Sequence, residues 1–184
     1  LKDTEFKELF EGKEDKKFVS RDCAIESDLE LLIPDHYIIN IDERLYYYNK
    51  LNKVEDEPGL EEIESELIDR FGDIPAQTRE LFDTVRLKWV GMELGMEKII
   101  LKNGKLRAQF IGSENNDSFY QSKKFGSILE YVQFHQSNCR FDQKKDGLRL
   151  VISPIKNVIE ALSTLRAINK QATAKNNTHA ESIK

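Results

Sequence analysis

Eight carboxylates and no base lie between Glu55 and Asp69, in a chain whose whole net charge is only −5. The remaining residues together are therefore positive. Two kinds of chemistry suit such a run. Glu62 and Glu66, four residues apart, could ligate a hard cation, but two carboxylates without a carbonyl-donating loop make a poor site. No metal and no other cofactor is expected. A row of acids on one face could instead dock on a basic protein surface, with a merely solvated helix face as the plain alternative. Nucleic acid is a poor partner for that face because its phosphates carry the same sign.

Covalent chemistry finds no support elsewhere. The chain has no GxxxxGK[ST] loop and no GxGxxG after a strand, no GxSxG elbow and no HExxH pair. His36, His135 and His179 stand apart from any plausible nucleophile. Cys23 and Cys139 form no CxxC and have no histidine pair nearby, so they read as idle or buried thiols in a reducing cytoplasm. An enzyme is not expected in this chain.

The acids need an element to position them, and the spacing supplies one. At about 100° per residue Leu60, Ile63, Leu67 and Phe71 share one flank, while Glu62, Ser65, Glu66 and Asp69 share the opposite one. Pro58 suits a first turn, Asp56 and Glu57 suit a cap and the helix dipole, and Gly72 suits a left-handed stop. The spacing predicts a helix over 58–71 with a dry face and an acidic face.

Around it, 184 residues with 39% hydrophobic and 33% charged content can bury one core. No apolar run approaches the roughly 18 residues of a membrane span, and no signal peptide opens the chain. The first residue is Leu, which suggests a piece of a longer protein. Residues 1–25 read as a linker and Leu29–Ile33 as extended up to Pro34. Asn40 caps a helix reaching Lys53, with Glu43 as capping-box partner and Ile41, Leu45 and Tyr48 facing inward. Tyr46, Tyr47 and Tyr48 beside Arg44, Lys50 and Lys53 look like a stacking surface for single strands. Consecutive helical positions point apart, however, so core packing with one tyrosine exposed fits better. A third helix over 75–94 would bury Thr78, Leu81, Val85, Trp89 and Met92.

The period then changes. Asn103-Gly104 marks a hairpin in which Leu106, Ala108 and Phe110 are buried and Lys105, Arg107 and Gln109 wet. A helix over 125–134 turns Ile128, Leu129 and Val132 inward. A second hairpin turns at Asp146-Gly147, with Cys139 and Phe141 on one arm and Leu148, Leu150 and Ile152 on the other. Ser153-Pro154 opens a last helix to about Ile168, with Ile155, Val158, Ile159, Leu162 and Leu165 inward. Residues 170–184 read as a disordered tail. The fold class is α+β: an N-terminal half of three helices, then two β-hairpins forming a small sheet with packed helices.

Three segments carry a resemblance: LIPDHYI (Leu32–Ile38), ERLYYYNKL (Glu43–Leu51) and LEEIESELIDRFGDIP (Leu60–Pro75). Together they resemble the C-terminal domain of the bacterial transcription-repair coupling factors, the Mfd family, and ELIDRFG (Glu66–Gly72) is the most specific part. The likeness runs from about Leu32 to Ile168. It implies a regulatory domain over 26–169, with 1–25 leading in from a translocase domain. Members are cytoplasmic, multidomain translocases on double-stranded DNA that displace stalled RNA polymerase and recruit UvrA for nucleotide excision repair. Their motor motifs are absent here. In the family this domain docks on a UvrB-like module of the same protein and hides its UvrA-binding surface. The acids matching the docking contacts are Glu66 and Asp69, which would meet arginines. Glu62 joins them from the helical wheel, and Arg70 has no assigned role. The isolated domain would be monomeric. The alternative reading is a nucleic-acid-binding appendage using Lys98, Lys102, Lys105 and Arg107 near the first hairpin, with Lys123 and Lys124.

Overall fold

Five strands form one sheet: β1 (Ala24–Ser27), β2 (Met96–Lys102), β3 (Lys105–Phe110), β4 (Cys139–Lys144) and β5 (Gly147–Ile152). Among the described residues six α-helices accompany it: α1 (Ile41–Lys53), α2 (Glu57–Phe71), α3 (Ala76–Glu93), α4 (Asp117–Tyr120), α5 (Lys123–Phe134) and α6 (Val158–Thr178). The structure, a computed structural model, describes residues 20–178. The α+β class holds, and both hairpins join one mixed sheet through β3 and β5, in the order β1-β2-β3-β5-β4. Only β1 runs parallel to its neighbour.

Local chemistry accounts for these elements. Asn103 and Gly104 both take positive φ, 55° and 67°, the backbone of a two-residue turn whose twist matches its strands. Leu106, Ala108 and Phe110 are fully buried on one side of β3, as their alternation requires. Asn40 accepts hydrogen bonds from the backbone N–H groups of Asp42 and Glu43 and so caps α1.

Two hydrophobic clusters result. One fills the space between the sheet and α3, α5 and α6, with Ile99, Leu106, Phe110, Ile128, Leu150 and Leu165 among its members. The other binds α1, α2 and the first half of α3 through Tyr47, Leu51, Leu60, Leu67 and Phe82. Each such side chain contributes about 1.5–3 kcal/mol of burial.

Helix α3 serves both clusters, and that changes its buried line. Phe82 enters the helical cluster while Leu87 and Val90 enter the sheet cluster. The expected stripe of Leu81, Val85, Trp89 and Met92 is only half-buried, although Thr78 is buried. A single stripe describes a helix with one neighbour, and α3 has neighbours on two sides.

Several boundaries differ from expectation. Residues 24 and 25, the end of the expected linker, already belong to β1, and Ser20 and Cys23 before it are buried. Leu29–Ile33 is not a strand; Leu29 and Leu31 pack on the sheet cluster without ladder bonds. Helix α6 starts at Val158 rather than after Ser153, capped by Asn157, whose side chain accepts from Glu160 N at 2.8 Å. It continues through residues 170–178, expected as disordered tail, with Ala172 still buried. The second turn is Lys145-Asp146, with Gly147 already paired opposite Lys144. Leu129 and Ile159 face outward, Ile159 being 58% exposed.

Helix α1 is rotated from its expected register. It buries Tyr47 and Leu51, whereas Ile41 and Leu45 are 61% and 53% exposed. Both stripes carry apolar residues, and Tyr47 wins the inner place because its hydroxyl finds partners on α2. One tyrosine, Tyr46, stays exposed.

Candidate partner interface on the second helix

Helix α2 is fixed at both ends. Asp56 Oδ1 accepts from Gly59 N at 2.9 Å, and Pro58 occupies the first turn. At the other end Gly72 has φ 83° and ψ −159°, a glycine conformation that is extended rather than left-handed helical. Its N–H still reaches Ile68 O at 2.9 Å. The Tyr37 hydroxyl donates to the carbonyls of Leu67 and Gly72. Leu60, Ile63 and Leu67 are buried and Phe71 is half-buried, so the dry flank is the one the spacing predicts.

The eight acids do not remain one uniform surface. Asp56 caps the helix. Glu57 receives the Arg86 guanidinium on both oxygens, at 2.5–3.1 Å, and Arg86 holds its carboxyl below the ordinary value. Glu64 meets Arg79 at 3.3 Å. Glu66 takes Lys50 Nζ on Oε2 at 2.6 Å and the Tyr47 hydroxyl on Oε1 at 2.9 Å. Lys50 first, and Tyr47 second, hold the Glu66 carboxyl below its ordinary value, and the Glu66 bond raises Lys50 in return. Glu62 and Asp69 stand exposed with Ser65 between them, and Glu55 and Glu61 are also exposed.

The structure thus brings Glu62 and Asp69 onto one open stripe and places half-buried Glu66 on the shoulder facing α1. Arg70, to which the sequence lent no role, completes that shoulder. Its Nη1 donates to the Tyr47 hydroxyl at 2.8 Å and its Nη2 pairs with the Glu43 carboxylate. Glu43 is therefore not the capping-box partner of Asn40. The signal available was the four-residue step from Glu66 to Arg70, which puts both on one side of α2.

No group of three or more His, Cys, Asp or Glu among the described residues could hold a metal ion. His36 lies in the segment before α1, and the His135 ring stacks on Tyr131 at 3.9 Å. His179 lies outside the described residues. Lys123 and Lys124 sit on α5, and Lys124 Nζ donates to Glu93 O.

The chain matches the family model of the TRCF domain over residues 27–121. It is 38% identical over 80 residues to the transcription-repair-coupling factor of Escherichia coli K12, covering 44% of this chain and 7% of that protein. It is 37% identical over 133 residues to the transcription-repair-coupling factor of Staphylococcus epidermidis RP62A, covering 69% of this chain and 11% of that protein. The chain thus spans only a small part of the length of these relatives. Its fold is similar to a crystal structure of the C-terminal domain of transcription-repair coupling factor, with a TM-score of 0.64 at 19% identity, over 85% of this chain and 94% of that one. At that identity the likeness speaks for the fold.

Proposed function

The chain belongs to the TRCF domain family, and from that membership we propose that it is a non-catalytic, autoinhibitory domain of a cytoplasmic transcription-repair coupling factor. It docks through the open stripe of α2 on a basic UvrB-like module of the same protein and masks that module's UvrA-binding surface. The parent protein is an ATP-dependent translocase that couples stalled RNA polymerase to excision repair on double-stranded DNA.

The observation that carries this reading is the pair Glu62 and Asp69, exposed and without an ion pair among the described residues, on a helix where Glu57, Glu64 and Glu66 are paired with Arg86, Arg79 and Lys50. Both are available for arginines of a partner. Glu66 contributes differently, because a partner arginine must share it with Lys50 or displace that lysine. Rim ion pairs are worth about 0–1 kcal/mol and desolvated interfacial pairs about 1.5–7 kcal/mol. In the intact protein a short linker gives an effective concentration of about 1 mM, so a dissociation constant of about 10 μM in trans keeps ~99% of molecules closed. Weak, salt-sensitive binding is sufficient for the clamp and allows its release.

Calorimetric titration of the chain into the isolated UvrB-like module tests the proposal. Micromolar binding that weakens with salt and disappears in Glu62→Arg/Asp69→Arg supports it. Equal binding of the wild type and that variant removes the acidic stripe from the interface. Glu66→Gln belongs in a separate titration, because reversing its charge would also repel Lys50 and Arg70 inside the domain.

A further inference from the structure

Among the described residues, one face of the sheet carries no helix. The strand register puts Ile99, Leu101, Leu106, Ala108, Leu150, Ile152 and Cys139 on the side packed by α3, α5 and α6. The opposite side carries two continuous cross-strand rows. One runs Glu26, Ile100, Arg107, Val151, Arg140 and the other Ala24, Lys98, Gln109, Arg149, Asp142. Lys102 and Lys105 pair beside the Asn103-Gly104 turn, and Lys144 extends the same face of β4. Ile100 and Val151 belong to neither hydrophobic cluster.

Charge on this face is uneven. Glu26 lies 2.7 Å from Lys98 and 3.7 Å from Lys102, so one acid serves two lysines. Asp142 meets Lys144 and Asp146 meets Arg149. Lys105, Arg107 and Arg140 have no acid within ion-pair distance among the described residues, and Arg140 is exposed. Arg107 and Arg140 flank Val151, which is only 2% exposed although no helix among the described residues covers it. Arginine stems laid over an apolar neighbour leave the guanidinium heads at the surface. The two arginines are two strand spacings apart, about 10 Å, on a rigid support.

We propose that this helix-free sheet face binds the phosphate backbone of duplex DNA, with Arg107 and Arg140 as central contacts and Lys102 and Lys105 at the rim. Charge complementarity selects a polyanion. The aromatic strand residues select its form: Phe110 and Phe141 lie on the packed face, so no ring is offered for stacking unpaired bases. Backbone contacts by arginine and lysine need no stacking and read no sequence. The site is separate from the acidic stripe of α2 and does not rest on the docking reading.

The test is fluorescence anisotropy of the full 184-residue chain with a labelled duplex, from about 50 to 200 mM salt. A glutamate-rich peptide of similar charge forms a parallel arm. The expected result is a dissociation constant of about 10⁻⁴–10⁻⁶ M, rising with salt by ~0.9 log unit per log unit for each phosphate contact. Arg107→Gln/Arg140→Gln keeps the stems over Val151 and should lower that salt slope by about 2 and weaken binding roughly tenfold. Circular dichroism verifies the fold. If that variant fails to fold, Lys102→Glu/Lys105→Glu at the hairpin tip decides, with the same loss expected. Glu62→Arg/Asp69→Arg should leave duplex binding no weaker, which separates this site from the docking stripe. No binding at the lowest salt overturns the proposal, as does binding that both variants leave unchanged. Tighter binding of the acidic peptide than of the duplex overturns it in favour of an acidic protein partner.

Discussion

Lys50 Nζ lies 2.6 Å from Glu66 Oε2, with the two side chains 34% and 31% exposed. Glu66 therefore links α2 to α1 as well as bordering the open stripe. Its second oxygen takes the hydroxyl of Tyr47, which in turn accepts from Arg70. Four side chains thus hold two helices in one relative orientation, and the stripe bearing Glu62 and Asp69 is aimed by that connection.

Tyr47→Phe isolates the hydroxyl's contribution. The ring stays in the core against Phe71, at 5.9 Å between centroids, while Glu66 and Arg70 each lose one bond. Both keep access to water, so the expected cost is about 0.5–1.5 kcal/mol. Tyr47→Ala removes the buried ring too and should cost about 3–5 kcal/mol. Urea unfolding of the two variants measures the difference, and equal costs would mean the hydroxyl network carries most of the effect.

Acid should destabilise the domain partly through Glu57 and Glu66. Arg86 lowers the first below 4.5, and Lys50 followed by Tyr47 lowers the second. The unfolded chain therefore takes up these protons at higher pH than the folded one. Their stabilisation is complete above the ordinary value of 4.5 and is lost as pH falls through the lowered folded values. Melting temperatures between about pH 6 and pH 3 should fall less steeply in Glu57→Gln/Glu66→Gln than in the wild type. Parallel curves would show that other acids govern the transition.

Local signals made much of this fold legible. The Asn103-Gly104 turn, the alternation of β3, and the cap and dry flank of α2 depend on neighbours in sequence, and each stands where the residues put it. Strand β1 was invisible because AIES gains its role only from pairing with β2 more than seventy residues away. The register of α1 was ambiguous because Ile41 and Leu45 compete with Tyr47 and Leu51 for the same role. Of the candidate site, the stripe of Glu62 and Asp69 was readable from the wheel. The commitment of Glu66 was not, since Lys50 and Tyr47 belong to another helix.

That ambiguity in α1 is directly testable. Ile41→Ser and Leu45→Ser change exposed positions and should each shift stability by no more than about 0.5 kcal/mol. Leu51→Ala opens the helical cluster and should cost about 2–5 kcal/mol. Denaturant midpoints that rank the three variants the other way would return α1 to the register in which Ile41 and Leu45 face inward.

Gly95 should tolerate no side chain. Its φ of 72° disfavours any Cβ, and a methyl there would lie 2.5 Å from the Phe119 ring. Phe119 is fully buried against Phe110 and Phe125, so it has little room to yield. Backbone strain of about 1–3 kcal/mol and overpacking of about 1–3 kcal/mol both apply to Gly95→Ala. The double variant Gly95→Ala/Phe119→Leu should recover part of the loss relative to Phe119→Leu alone, and strictly additive costs would assign the effect to φ alone.

Cys23 reports on the junction of the two clusters. It is buried where α3 meets β2, and a methyl on Gly91 would lie 3.0 Å from its sulfur and 2.8 Å from Ile99. Burial, aided by the charge of Asp22, pushes its thiol from 9.0 up to about 12. Burial also raises Cys139. At pH 8 the folded Cys23 would then be ~10⁻⁴ thiolate, against about a tenth for a thiol at the ordinary 9.0. A disulfide reagent at that pH should leave Cys23 unmodified until denaturant is added, with labelling that follows the unfolding transition. Rapid labelling of native Cys23 would mean that β1 peels from β2 without global unfolding, and the sheet would then behave as four strands with a detachable edge.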